Sequence, residues 1–211
     1  MHRHLKNCAV ALSLALAAAA SAASAAPAAP VANANRAAVS PGAYKVEPTH
    51  TRVLFAVSHM GFTTWYGEFT GASGVLQLDP AHPARSQIEV SVPTASISTT
   101  NAVLDGELKS ADWLDAARYP TITFKSQRVT PTGRDAADIA GELTLHGVTR
   151  PVTLHVRFNG AGANPLDKAY TAGFEVSGEI KRSEFGVTKY VPLVGDEVQL
   201  IISAAFEKQP S

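Results

Sequence analysis

Cysteine is almost missing from this 211-residue chain, and the single one, Cys8, sits near the start. That excludes an internal disulfide framework and a cysteine-built metal site, and leaves burial as the source of stability. A charge excess is missing too: 18 basic residues face 18 acidic ones. With no basic stripe interleaved with aromatics, nucleic acid is not expected as a partner. His50, His59, His82, His146 and His155 form no H-x-x-x-H spacing, and neither a G-x-S-x-G elbow nor a phosphate-cradling glycine loop occurs. No enzyme activity, metal or cofactor is therefore expected. An active site assembled from distant residues would need an acid–base pair facing a cavity.

Long apolar runs are scarce as well. Ala9–Ala20 follows a basic start (His2, Arg3, His4, Lys6) and leads to Ala23-Ser24-Ala25, the pattern of a secretory signal over residues 1–25. The run is shorter than the ~20 apolar residues that span a bilayer, so no stable membrane insertion is expected after cleavage. Ala32-Asn33-Ala34 is a second candidate cleavage site. Cys8 precedes the apolar run, whereas a lipoprotein cysteine follows it. A periplasmic or secreted location is expected. Residues 26–41 are mostly Ala, Pro, Asn and Val, which predicts a flexible linker. One domain is expected over 42–208, large enough for a substantial core.

What the domain has in abundance is alternation. Val53, Phe55 and Val57 share one phase, as do Ile88, Val90 and Val92, then Val152, Leu154, Val156 and Phe158, and finally Val198, Leu200, Ile202, Ala204 and Phe206. Side chains in a strand point to opposite faces with period two, so each segment has one apolar and one polar side. Strands are expected near 43–46, 51–58, 65–78 (bent at Gly71 and Gly74), 87–92, 121–130, 138–145, 152–159, 169–180 and 197–207. A short helix over 101–109 capped by Thr100, and a second turn over 113–116 capped by Asp112, interrupt them. Sequential strands with one helical insertion predict an all-β antiparallel barrel or sandwich.

Four blocks resemble the YceI-like family: THTRVLFAVSHMGFTTWYGEF (49–69), LKSADWLDAARYPTITF (108–124), GELTLHGVTRPVTL (141–154) and IKRSEFG (180–186), with VGDEVQL (194–200) opening the last strand. The resemblance covers essentially the whole domain and implies a lipocalin-like barrel that binds a polyisoprenoid lipid in a tunnel, without established enzymatic activity. Trp113 stands where Phe is common in that pattern, and Tyr66 where a basic residue often precedes the glycine.

A barrel of about eight strands is just wide enough to be filled by its own side chains or to hold one slender ligand. Periodicity alone leaves a packed core and a lined tunnel both open. With the resemblance, the expected ligand-binding set is Phe55, Val57, His59, Val90, Val92, Phe124, Leu143, Leu145, Val156, Phe158, Phe174, Val176, Gly178, Arg182, Leu200, Ile202 and Ala204. Gly178 and Ala204 are the small residues expected to leave room for a chain. His59 is either a donor to a polar head or a satisfied strand-end histidine. Arg182 either meets a head group at the mouth or fixes a loop by pairing with Asp112 or Glu184. The segment 100–116 is expected to lid one barrel end, and Gly61, Gly67, Gly141, Gly147 and Gly186 to serve turns or bulges. The expected function is sequestration or transport of a polyprenyl quinone or polyprenyl phosphate type of lipid. The alternative is a stress-related periplasmic interaction protein with a packed barrel. A homodimer is compatible with either.

Overall fold

The alternating segments form ten strands in the computed structural model, which describes residues 31–210. The expected signal peptide, with Cys8, lies outside the described residues, as does the first part of the expected linker. The strands are β1 (Gly42–Val46), β2 (Arg52–His59), β3 (Thr63–Phe69), β4 (Ser73–Leu78), β5 (Gln87–Pro93), β6 (Thr121–Pro131), β7 (Ala136–Leu145), β8 (Val148–Ala163), β9 (Tyr170–Lys181) and β10 (Val194–Lys208), with one α-helix, α1 (Ala102–Lys109). Among the described residues no helix is long and apolar enough to cross a membrane.

All pairings are antiparallel, and the ring closes. β1 pairs with the end of β10 (Val46 opposite Phe206), while β2 pairs with its earlier part (Leu200 opposite Phe55). β1 and β2 are thus two halves of one bent strand. β3 and β4 are likewise two halves, paired with β2 and β1. Counted this way, the wall is a closed eight-stranded barrel. Around the bend, the β3 edge is held by Glu68 and Ser98, which exchange backbone hydrogen bonds of 2.8 and 2.9 Å.

Local chemistry explains several details. His146 and Gly147 both have positive φ (51° and 73°), the two-residue turn whose twist suits the β7–β8 hairpin. The helix cap is Asn101 rather than the expected Thr100: the Asn101 side chain accepts from the Val103 and Leu104 amides. The expected helical turn over 113–116 is instead a chain of non-helical turns, tied by Leu114 N–H to Leu108 O at 3.1 Å and Ala116 N–H to Lys109 O at 3.1 Å. Gly67 and Gly141 lie mid-strand beneath the Phe55 and Phe124 rings, so space for a ring, not a turn, is what they supply.

The stretch expected to be a linker packs on the barrel over its described half. Asn33 pairs with Ala161 at the β8 edge, a short 3-10 helix spans Arg36–Ala38, and Val39 is buried. The Tyr44 hydroxyl donates to Ser40 O at 2.6 Å, and the Tyr170 hydroxyl accepts from Ser40 N–H at 3.2 Å. Burial first, and then neighbouring Tyr170, pushes the Tyr44 phenol up to about 12. Low-complexity composition hid these anchors.

The bend between β3 and β4 falls at 70–72. Gly74 lies inside β4 with φ of +145°, and a Cβ there would overlap Glu89 O and the Val90 backbone. Gly74→Ala is expected to lower stability by about 2–4 kcal/mol, read as a lowered urea midpoint at unchanged m-value.

Candidate functional site

The inward faces of the strands do not meet. Val53, Phe55, Val57, Val90, Leu154, Val156, Phe158, Phe174, Val176, Leu200, Ile202 and Ala204 are only half-buried although they point into the barrel. A packed core would cover such side chains almost completely. They line two hollows of about 190 and 220 Å³. Val53, Val90, Val92, Phe124, Leu154 and Ile202 border both, forming a waist between them. Together the hollows reach roughly 400 Å³, within the range of small-molecule pockets.

Most of the expected site residues come together here. Phe55, Val57, Leu143, Leu145, Arg182 and Leu200 line one hollow, Val156, Phe158, Phe174, Val176 and Ala204 the other, and Val90, Val92, Phe124 and Ile202 the waist. Two do not reach the lining. His59 ends β2 and packs on the Trp65 ring at 5.5 Å, because the strand runs past the hollow before it stops. Gly178 faces inward, but the space a Cβ would take is filled by Leu154 Cδ2. Its smallness therefore admits a leucine and leaves no room for a ligand. Tyr66 points outward and is 58% exposed, so a basic residue at that position would not face the interior either.

The end of the Phe55 hollow is closed by the insertion after β5. Leu108, Trp113 and Leu114 cover it, with Val187 from the β9–β10 connection. Arg182 belongs to this closure. It is 5% exposed, and its guanidinium donates to Gly195 O (2.8 Å), Val187 O (2.9 Å) and Val194 O (2.9 Å) while stacking at 5.3 Å on the Trp113 ring. The expected partners Asp112 and Glu184 are not used: Asp112 pairs with Lys189 at 3.0 Å. Burial lowers the Arg182 pKa and the Asp196 charge opposes that, yet guanidinium stays ionised in proteins. Asp196 accepts from the Ser183 amide (2.8 Å) and hydroxyl (2.7 Å), and the hydroxyl bond is the largest influence holding its carboxyl below the ordinary 3.8.

The opposite end differs. Arg36 and Val39 of the docked N-terminal segment, Pro80 and Pro83 of the β4–β5 connection, and Asp135 and Ala137 of the β6–β7 hairpin surround it. Arg36, Val39 and Asp135 were not expected from sequence. The first two lie in low-complexity chain, and an isolated turn aspartate carries no pattern. No cluster of three or more His, Cys, Asp or Glu that could hold a metal occurs among the described residues.

Two outcomes follow from the Arg182 end. Arg182→Met strands three carbonyls and is expected to cost about 3–5 kcal/mol, seen as a Tm drop of roughly 10 °C. Arg182→Lys should recover only part, since one ammonium nitrogen cannot reach three carbonyls set apart to meet Nε, Nη1 and Nη2 of a planar guanidinium. Because the Asp196 carboxyl is depressed in the fold, its contribution is present above its ordinary pKa and fades as pH falls through the folded value. Ser183→Ala should therefore lower stability at pH 7 and flatten the loss below about pH 4, followed by thermal melts across pH.

The sequence matches the YceI-like domain over residues 44–206. It is 40% identical over 163 residues to a UPF0312 protein of Azotobacter vinelandii, covering 77% of this chain and 84% of that one. It is also 40% identical over 162 residues to Protein YceI of Escherichia coli O157:H7, covering 76% and 84%. Among solved structures, Burkholderia cenocepacia BcnA superposes with a TM-score of 0.69 at 28% identity, over 76% of this chain and 98% of BcnA. A polyisoprenoid binding domain from Saccharophagus degradans shares the fold, with a TM-score of 0.58 at 16% identity, over 79% and 98%. With the domain matched almost from end to end, this chain belongs to the YceI-like family.

Proposed function

We propose that this protein is a non-enzymatic carrier or sequestering protein of the periplasm or extracellular space that holds the tail of one polyisoprenoid lipid inside its barrel. The observation that carries this reading is the pair of apolar hollows inside the barrel, which share six lining residues and are bordered by half-buried inward side chains. A branched hydrocarbon thread suits a long, narrow space better than a compact solute does. The signal-like start of the sequence supports the location. The Saccharophagus degradans domain, described as polyisoprenoid binding, is a barrel of the same fold.

Energetics favour such a ligand. Each isoprene unit takes four to five carbons out of water, at about 0.8 kcal/mol per carbon. Roughly six units would match the practical ceiling of about 18–21 kcal/mol before tail ordering is subtracted. Tight retention follows from the tail alone. Quinone and phosphate heads are both compatible with that argument, because the head lies outside the apolar lining.

Organic extraction of purified protein, followed by mass spectrometry, should release a polyprenyl species; an empty extract favours a protein partner instead. Val90→Phe places a ring at the waist shared by both hollows. It is expected to cut prenyl-lipid retention at least tenfold while changing stability by no more than about 1–3 kcal/mol. Unchanged retention would count against the hollow as the binding site.

A further inference from the structure

The barrel wall has a seam beside β8. Pairing of β8 with β7 stops at Arg157 opposite Ala136, whereas its pairing with β9 runs on to Ala163 opposite Tyr170. Beyond the Phe158 N–H, which donates to Asp135 O at 2.7 Å, none of the ten strands pairs with the β7-side edge of β8. Residues 31–40 lie along that edge as a strap. Asn33 and Ala161 exchange backbone hydrogen bonds of 2.9 and 3.0 Å, the geometry of strand addition to a free edge. Small residues make the seat. A Cβ on Gly160 would come within 2.9 Å of Ala32 Cβ, and one on Gly162 within 3.2 Å of Val31 O.

The strap then reaches the hollow. Val39 is 6% exposed, shares a buried cluster with Leu76, Ala172 and Phe206, and lines the hollow beside Leu76 and Phe206. Half-buried Arg36 borders the same mouth, and the rest of 31–38 is exposed. Two tyrosine hydroxyls hold Ala38 and Ser40 in place. The footholds are therefore Asn33 on the seam and Val39 at the mouth, and neither belongs to the ladders that close the ring.

Resting on the prenyl-lipid reading, we propose that residues 31–40 are a gate for the tail. The strap peels from Gly160–Gly162, withdraws Val39 and Arg36 from one side of the mouth, and re-seats by strand addition. Peeling breaks the two Asn33 backbone bonds and the tyrosine contacts while every ladder of the ring stays whole, so the mouth widens without unfolding the barrel. A gate that the tail passes in both directions speeds or slows entry and exit in equal proportion and leaves affinity unchanged. A strap that only completed the binding wall would alter exit alone.

The test follows a polyprenol probe moving between the delipidated protein and phosphatidylcholine vesicles, in both directions. One variant, in a Cys8→Ser background, combines Asn33→Cys with Ala161→Cys. Residues opposite each other in a hydrogen-bonded antiparallel pair have Cα atoms about 5.5 Å apart, inside the roughly 4.4–6.8 Å that a disulfide spans. Once oxidised, this variant should load and release the probe about tenfold more slowly, and dithiothreitol should restore both rates. Gly160→Val acts the other way. The three atoms nearest its added Cβ all belong to the strap, so the substitution unseats the strap and leaves the lining as it is. Loading and release should both rise about tenfold, with retention at equilibrium held within about threefold. Equal rates in the oxidised and reduced protein would overturn the gate and leave tail binding standing, as would a Gly160→Val effect confined to release. Wild-type protein that takes up no probe at all would sink the prenyl-lipid reading and the gate with it.

Discussion

The girth of the wall governs everything inside it. Eight strands about 4.8 Å apart, tilted by about 40°, enclose a cylinder roughly 16 Å across between backbones. Whether that cylinder is solid depends on how far its inward side chains reach. Here many are short: Val53, Val57, Val90, Val92, Val156, Val176, Val198 and Ala204 supply much of the lining. Valine stops well before the axis, so the hollow is a direct outcome of residue choice on a ring of fixed size. Val53, Val90, Val92, Phe124, Leu154 and Ile202 border both hollows and ring the boundary between them. Closure matters equally. Had β1 and β4 not completed the ring, the same apolar faces would have collapsed on each other as a sandwich.

The ends then divide the labour. One is lined by an inserted segment whose Trp113 and Leu114 border the hollow, and Arg182 pins the loops there through backbone carbonyls. A buried cation satisfied entirely by neutral carbonyls has nothing left to offer a ligand, so it acts as a fastener. The other end is held by a segment bound through one backbone pairing, Asn33 with Ala161, the buried Val39, and a few hydrogen bonds between Ser40 or Ala38 and two tyrosines. Segments with so few contacts open locally at low free energy compared with strands in a closed ring.

Much of this was legible in the sequence because period-two alternation is a strong signal. The inward phase of β2, β5, β8, β9 and β10 was correct at nearly every position, from Val53 to Phe206. What stayed hidden depends on three-dimensional coincidence. Gly178 is on the predicted face, but only the neighbouring strand shows that Leu154 fills its space. His59 is in phase, but only the barrel length shows that it lies beyond the hollow. Arg182 was in the right loop, yet carbonyl partners twelve and thirteen residues away leave no trace in composition. Arg36 and Val39 were lost for the opposite reason. A stretch of Ala, Pro and Asn reads as linker even where one arginine and one valine in it meet the barrel.

On the prenyl-lipid reading, tail burial would set a kinetic constraint on such a barrel. If tail ordering leaves a dissociation constant of about 10⁻¹⁰ M, ordinary association near 10⁶ M⁻¹s⁻¹ implies escape at about 10⁻⁴ s⁻¹, a wait of hours. Release into water would then be slow. The tail would have to slide from one apolar environment into another without crossing solvent, with the barrel mouth held against the acceptor. That requirement would fall more easily on the end closed by the short N-terminal segment. The Arg182 end, by contrast, would have to break three hydrogen bonds to a buried charge before anything moved.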